Sequence, residues 1–193
     1  MKFIKTDIPD VIICEPLVHG DERGYFVETF RQDKLDDFLG YKINFVQDNE
    51  SKSSKGVLRG LHYQLPPHAQ TKLVRVIEGI VLDVAVDIRK NSATFGKHVS
   101  VTLSSENKRQ LLIPRGFAHG FIVLSETATF AYKVDDFYSP EYDRGIAYNS
   151  VDLGIDWIIP KEGFQLSTKD KKSIHFHSVK NDDLFDIKEN LYA

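Results

Sequence analysis

Short runs of β-branched and aromatic residues recur along the first 138 residues of this chain, and they constrain its fold more than any other feature. Turn residues separate the runs at intervals of roughly eight to twelve positions, a spacing that predicts a β-sandwich or β-barrel. In 80–89 apolar residues alternate with Asp83, Ala85, Asp87 and Arg89, so we expect one buried face and one wetter face. The runs are 26–30, 43–49, 56–64, 72–79, 80–89, 97–104, 109–114, 119–124 and 129–138.

One helix is predicted between these runs. The segment QDKLDDFLG, residues 32–40, has a helical apolar pattern and ends at Gly40, a suitable C-cap. Beyond Ser150 the pattern is looser, and we find no internal repeat and no linker. The sequence therefore predicts one mostly β domain over residues 1–193, with a few short helices and a C-terminal extension.

Composition and charge exclude several classes of function. The net charge of −3 leaves no basic surface for a nucleic-acid partner. No apolar run is long enough to cross a membrane, and the N-terminus turns polar after four residues. Cys14 is the only cysteine, which fits a reducing compartment. We therefore expect a cytoplasmic protein with no nucleic-acid or membrane partner.

The stretch RGLHYQLPPH, residues 59–68, has three possible interpretations: half of a metal site, a lone catalytic base, or a strand end with surface imidazoles. Small β-barrels often bind metal with His-x-His on one strand, because alternate residues share a face. Here the position paired with His62 is Gln64, a poor ligand, and His68 lies beyond two prolines. These two positions argue against a complete metal site, but the stretch alone does not decide among the three interpretations.

Two further motifs could supply partners for His62. The segment IPRGFAHGF, residues 113–121, uses a glycine turn to present His119 at the start of a strand. The segment LSTKDKK, residues 166–172, offers Asp170 as a carboxylate for a histidine. Each also has an ordinary structural interpretation, a core histidine in one case and a solvated charged loop in the other.

Together these motifs resemble the cupin barrel with its metal ligands degraded, and more specifically the dTDP-4-dehydrorhamnose 3,5-epimerase family. The resemblance runs from about Ile4 to Asp170 and is carried by several motifs in the same order as in the family. They are HGDERGYFVETF (19–30), FVQDNESKSSKGVLRGLHYQ (45–64), TKLVRVIEGIVLDVAVDIRKNSATFGK (71–97), IPRGFAHGFIVLSETATFAYKVDDFYSPEYDRGI (113–146) and LSTKD (166–170).

The resemblance implies a jelly-roll fold and a reaction that needs no metal and no cofactor. The family's substrate is a nucleotide-linked 4-keto-6-deoxyhexose, whose ketone acidifies the hydrogens on C3 and C5. Inversion needs a base on one face of the sugar, an acid on the other, and a group that stabilises the enolate oxygen. By position, His62 matches the base, Asp170 the carboxylate that orients it, Tyr132 the acid, and Lys72 the group near the keto oxygen.

The resemblance also implies a set of substrate-binding residues. Arg23, Arg59 and Lys169 are the candidates for the diphosphate, because guanidinium binds it through two hydrogen bonds. Phe26 and Tyr138 offer flat faces to thymine or sugar, and plain core positions are the alternative. Positions that match the family's binding residues are Arg23, Glu28, Gln47, Asp48, Asn49, Arg59, Lys72, His119, Asp143 and Lys169.

One feature of the predicted strand at 56–64 conflicts with this assignment. Arg59 and His62 have opposite parity, so a regular strand would direct them to opposite faces. Gly60 lies between them and permits a β-bulge that would bring both to one pocket. We therefore predict an irregularity at or near Gly60.

Three alternatives to a 3,5-epimerase stay open from sequence. An epimerase acting at one carbon would keep nearly the same residues. A metal-dependent cupin would bind a metal ion tightly, against which Gln64 argues. A carbohydrate-binding cupin would not need an opposed acid and base.

Asp143, in PEYDRG, stands where the family usually has glutamate. The family forms dimers, so a homodimer is expected, with some nucleotide contacts from the partner's N-terminal segment.

Overall fold

The computed structural model describes residues 1–192 and shows sixteen strands and one α-helix in that range. Short 3-10 helices lie mostly in the C-terminal part, at 151–153, 161–163, 170–172, 176–178 and 181–183. The helix is α1 (Gln32–Leu39). The strands are β1 (Lys2–Lys5), β2 (Ile12–Glu15), β3 (Val18–Asp21), β4 (Gly24–Val27), β5 (Gln47–Ser54), β6 (Val57–Gln64), β7 (Lys72–Glu78), β8 (Ile80–Asp87), β9 (Arg89–Lys90), β10 (His98–Ser104), β11 (Gln110–Ile113), β12 (Phe117–Val123), β13 (Thr127–Val134), β14 (Asp143–Gly145), β15 (Gln165–Leu166) and β16 (Phe185–Asp186).

Two large sheets face each other across the core. The first has the order β1-β2-β11-β7-β13-β5, and the second has the order β10-β8-β12-β6-β14 with β15 attached to β6. Val74 and Phe130 of the first sheet meet Ala85 and Phe121 of the second in one buried cluster. This is the jelly-roll sandwich that the sequence predicted.

The predicted helix is confirmed together with its C-cap. Gly40 has a φ of 76° and its N–H donates to the carbonyl of Asp36 at 2.8 Å, which ends the helix in the left-handed conformation that suits glycine. Leu35 packs with Cys14 and Ile43 against the outer side of the first sheet. The helix therefore covers part of that outer face.

The prediction of a wetter face on 80–89 is wrong. Leu82 and Val84 pack against the C-terminal segment around Trp157, so the extension covers one face of β8. Asp83 and Asp87 point the other way and are also fully buried. They can be buried because each carboxylate has an internal cation or imidazole partner.

Two predicted strands are displaced. The run at 26–30 contributes only to β4, which pairs with β3 in an exposed hairpin. The run at 43–49 is a strand only from Gln47, and β5 continues through the polar sequence to Ser54. A polar strand is stable there because β5 is the last strand of its sheet and one of its faces is solvated. No helix among residues 1–192 is long and apolar enough to span a membrane.

Candidate active site

A cluster of titratable and polar side chains lines a cavity of about 620 Å³ between the two sheets. The second sheet contributes His62 and His119, and the first contributes Lys72 and Tyr132. Asp170 enters from the segment that follows β15. The structure thus brings the predicted catalytic residues to one cavity.

A bulge in β6 directs two of these side chains into the cavity. His62 pairs with His119, but Arg59, three residues earlier, pairs with Phe121, only two residues later on β12. Gly60, inside the bulge, has a φ of 128°, and a Cβ there would lie 2.5 Å from the backbone of β12. As a result Arg59 and His62 line the same cavity, and the predicted irregularity is confirmed.

His62 forms a short hydrogen bond with a buried carboxylate. Its Nε2 lies 2.5 Å from Oδ1 of Asp170, whose side chain is 3% exposed. Burial acts to raise the pKa of Asp170, but hydrogen bonds with His62 and Ser167 outweigh it and hold the pKa below its ordinary value. With Nε2 engaged, Nδ1 is the ring nitrogen left to accept a proton.

Tyr132 lies on the opposite sheet from His62. It is half-buried on β13 and packs against the core between the sheets. Burial raises the pKa of its phenol above the ordinary value of 10.0, although the charge of Arg59 acts in the other direction. The phenol therefore stays protonated at neutral pH, as an acid must.

Lys72 supplies a cation to the same cavity. Its Nζ lies 3.5 Å from the carbonyl oxygen of His62. Burial lowers the pKa of the amine to about 8, partly offset by the carboxylates of Asp143 and Asp83, while Lys169 lowers it further. The amine is still mostly protonated at pH 7.

A second histidine–carboxylate pair lies in the wall of the cavity. Nε2 of His119 is 2.9 Å from Oδ2 and 3.1 Å from Oδ1 of Asp83, and both side chains are buried. Burial lowers the pKa of His119, against the effect of Asp83. The sequence interpretation missed Asp83, although an aspartate inside the run IVLDVAV indicates a buried carboxylate that needs a partner.

The first sheet adds polar groups to the cavity. The hydroxyl of Ser53 accepts hydrogen bonds from Nε and Nη2 of Arg59 at 3.2 and 3.1 Å, which fixes the guanidinium. Asn49 lines the cavity, and its Oδ1 accepts a hydrogen bond from the side-chain amide of Gln47 at 2.8 Å. Ser53 was not predicted, and its place in a polar edge strand gives no local signal.

Beside the cavity, Asp143 links two of the predicted binding residues. The hydroxyl of Tyr138 donates to Oδ2 of Asp143 at 3.0 Å, and the ammonium of Lys169 pairs with the same oxygen. Lys169 itself lines the cavity. Tyr138 is 57% exposed and Phe26 is 69% exposed, so neither is a core residue in one chain.

Seven predicted residues do not line the cavity of one chain. Gln47, Tyr138 and Asp143 are connected to its lining by hydrogen bonds, whereas four are not: Arg23, Phe26, Glu28 and Asp48. Arg23 and Phe26 belong to the exposed hairpin of β3 and β4, and Glu28 pairs with cations at the start of α1. Asp48 lies on the outward face of β5, where Nζ of Lys133 is 2.8 Å away. A single chain therefore does not bring these four to the other site residues.

Gln64 holds a loop in place. Its amide donates to the carbonyls of His68 and Phe137 at 2.7 and 3.2 Å, and its oxygen accepts the N–H of Ser139 at 2.7 Å. The side chain is buried and fully used by these bonds. Within residues 1–192, no three His, Cys, Asp or Glu side chains are grouped as a metal site would require.

Comparison with known proteins gives matches over nearly the whole chain. The family profile described as dTDP-4-dehydrorhamnose 3,5-epimerase matches residues 5–178. The enzyme of that name from Shigella flexneri is 60% identical over 170 residues, which cover 88% of this chain and 93% of the relative. The dTDP-6-deoxy-D-glucose-3,5-epimerase of Legionella pneumophila, solved in complex with dTDP-4-keto-L-rhamnose, is 49% identical with a TM-score of 0.93, covering 97% of this chain and 99% of that one. A 3'-monoepimerase of Streptomyces bikiniensis, solved with dTDP-quinovose, is 31% identical with a TM-score of 0.83, covering 89% and 86%.

Proposed function

This chain belongs to the dTDP-4-dehydrorhamnose 3,5-epimerase family, and on that premise we propose how its own residues carry out the reaction. The reaction is the inversion of C3 and C5 of dTDP-4-keto-6-deoxyglucose, a step of dTDP-rhamnose biosynthesis. The observation that supports our assignment of roles is the placement of His62 and Tyr132 on facing sheets of one cavity.

His62 is the general base. Its Nδ1 takes the proton from C3 or C5, and the electron pair of the broken C–H bond moves into an enolate with negative charge on the C4 oxygen. The carboxylate of Asp170, 2.5 Å from Nε2, stabilises the imidazolium that forms. The ammonium of Lys72 stabilises the enolate oxygen in a half-buried position, where its charge has more effect than in water.

Tyr132 returns a proton to the other face of the same carbon. Its phenol donates to the enolate, the ketone re-forms, and the configuration is inverted. The phenolate then regains a proton from water, and the imidazolium loses its proton to water. A second cycle at the other α-carbon uses the same groups, because C3 and C5 flank the same ketone.

Arg59 and Lys169 hold the diphosphate in this proposal. Both cations line the cavity, and Ser53 fixes the guanidinium of Arg59. Tyr138 is exposed beside Lys169 and offers its ring to the thymine or the sugar. Asn49 and His119 are the neutral polar groups available to sugar hydroxyls.

Incubation with dTDP-4-keto-6-deoxyglucose in deuterium oxide, followed by NMR, tests the reaction. We expect deuterium at both C3 and C5. Label at one carbon would support the second candidate, a monoepimerase, an activity found on the same fold in the Streptomyces bikiniensis enzyme at 31% identity. His62→Ala should abolish exchange, whereas His175→Ala, a matched change at an exposed histidine, should not alter it. An active His62→Ala enzyme would contradict the assignment of the base.

We also propose a homodimer in which the hairpin of β3 and β4 completes the site of the partner. Its aromatic Tyr25 and Phe26 are 61% and 69% exposed, an apolar surface that a second copy would cover. Arg23, on the same hairpin, would then reach the partner's diphosphate. A cytoplasmic location also fits, since Cys14 is the only cysteine and is unpaired.

Mixing two inactive variants tests this arrangement. A dimer of His62→Ala with Arg23→Ala has one intact site if Arg23 acts on the partner, and none if it acts on its own chain. Statistical mixing should therefore restore about a quarter of wild-type activity in the first case. No recovery, from chains that light scattering shows to be mixed dimers, would exclude the exchange.

A further inference from the structure

The segment LSTKD, which carries Asp170, is fixed to the second sheet just before the carboxylate. β15 pairs in parallel with β6, at Gln165 with Val57 and at Leu166 with Leu58. The amide of Gln165 also donates to the carbonyl of Lys55 at 2.9 Å. Ser167 follows directly, so its position is set by the same strand that carries His62.

Ser167 contacts Asp170 in two ways. Its hydroxyl donates to Oδ2 of the carboxylate at 2.7 Å, and its oxygen accepts the backbone N–H of Asp170 at 3.0 Å. The serine and the aspartate are three residues apart, the spacing at which a Ser side chain can bond the backbone of a short helical turn. Main chain and side chain of Asp170 are thus held by the same residue.

The two carboxylate oxygens of Asp170 therefore have different partners. Oδ1 binds Nε2 of His62 and Oδ2 binds Ser167. With both partners in place the carboxylate is 3% exposed, although Ser167 itself is exposed. Among residues 1–192 no other side chain forms a hydrogen bond with Oδ2. The neighbouring Lys169 is paired with Asp143 instead.

We propose that Ser167 is a positioning residue of the epimerase, which holds the carboxylate of Asp170 in the orientation that binds His62. The proposal rests on the proposed function, in which His62 is the base. Without the hydroxyl, the carboxylate can rotate about its Cβ–Cγ bond and Oδ2 lacks a partner. The imidazolium formed during proton abstraction would then be less well stabilised.

Steady-state kinetics of Ser167→Ala tests the proposal. We expect kcat to fall by about tenfold, the effect of losing one hydrogen bond to a charged group, with KM within about twofold of wild type. Ser167→Thr keeps a hydroxyl and should retain kcat within about threefold.

Thr168→Ala is the matched control, since it removes one hydroxyl from the adjacent exposed residue. The proposal is overturned if Ser167→Ala matches Thr168→Ala in kcat, or if only KM changes, which would make Ser167 a substrate contact. It is also overturned if Ser167→Thr is as slow as Ser167→Ala. Wild-type enzyme that incorporates no deuterium at C3 or C5 would instead contradict the proposed function itself.

Discussion

The lowered pKa of Lys72 makes a specific prediction about the alkaline side of the pH profile. In the proposed mechanism the amine must be protonated to stabilise the enolate, and burial lowers its pKa from 10.5 to about 8. Tyr132 must also be protonated, but its pKa is raised above 10.0 and does not interfere in this range. The activity should therefore fall above pH 8 because Lys72 loses its charge.

The size of the effect follows from the fraction of charged amine. With a pKa of about 8, roughly nine amines in ten are protonated at pH 7 and one in ten at pH 9. If the neutral amine is inactive, kcat/KM at pH 9 should be about one tenth of its plateau.

Two substitutions should move this limb in opposite directions. Lys72→Arg keeps a cation that does not titrate below pH 10, so the limb should disappear from the range around pH 8 even though the absolute rate is lower. Asp143→Asn removes the carboxylate that contributes most to raising the pKa of Lys72, so the limb should move to lower pH.

The assay is kcat/KM from pH 6 to 10 with dTDP-4-keto-6-deoxyglucose, with substrate stability measured at each pH in the absence of enzyme. A limb that stays near pH 8 in Lys72→Arg would refute the assignment to Lys72. A limb that stays in place or moves to higher pH in Asp143→Asn would show that the carboxylate does not raise the pKa of this amine.

Three further predictions follow from the same site. Lys72→Met should raise the free energy of unfolding at pH 7 by about 1 to 3 kcal/mol in urea denaturation. The folded pKa of Lys72 lies below the unfolded value of 10.5, so protonation of the amine opposes folding at pH 7. Equal stability of the variant and the wild type would contradict this. Gly60→Ala should lower the free energy of unfolding by about 2 kcal/mol or more, since the new Cβ would lie 2.5 Å from Gly120 and 2.8 Å from the carbonyl of His119. Tyr132→Phe should slow inversion by about a hundredfold in product analysis while proton exchange with deuterium oxide persists; normal inversion would exclude Tyr132 as the acid.

The parts of this structure that sequence predicts are those fixed by local rules. Gly40 marks the end of α1 because a left-handed C-cap favours glycine wherever it occurs. The bulge at Gly60 could be predicted because Arg59 and His62 have the wrong parity for a regular strand, and only one residue between them tolerates a positive φ.

The parts that sequence does not predict depend on what covers a surface. In 80–89 the alternation is real, but the C-terminal extension buries one face and the opposite sheet buries the other, so Asp83 is inside the protein. The same reason applies to Phe26, whose exposed hairpin does not return to the cavity of its own chain. The periodicity of a sequence indicates which residues share a face of a strand, but it does not indicate which other segment of the protein covers that face.

The geometry of the jelly roll itself provides the opposed acid and base that inversion requires. Inward side chains of one sheet point toward those of the other, so the proposed base His62 on β6 and the proposed acid Tyr132 on β13 lie on opposite sides of the cavity between the sheets. A regular β6, however, would direct Arg59 away from the side that His62 faces. The bulge at Gly60 adds one residue and turns Arg59, the proposed phosphate-binding cation, and His62, the proposed base, to the same cavity. In the proposed mechanism the fold therefore provides the two opposed groups, and one irregular glycine places the substrate-binding cation beside the base.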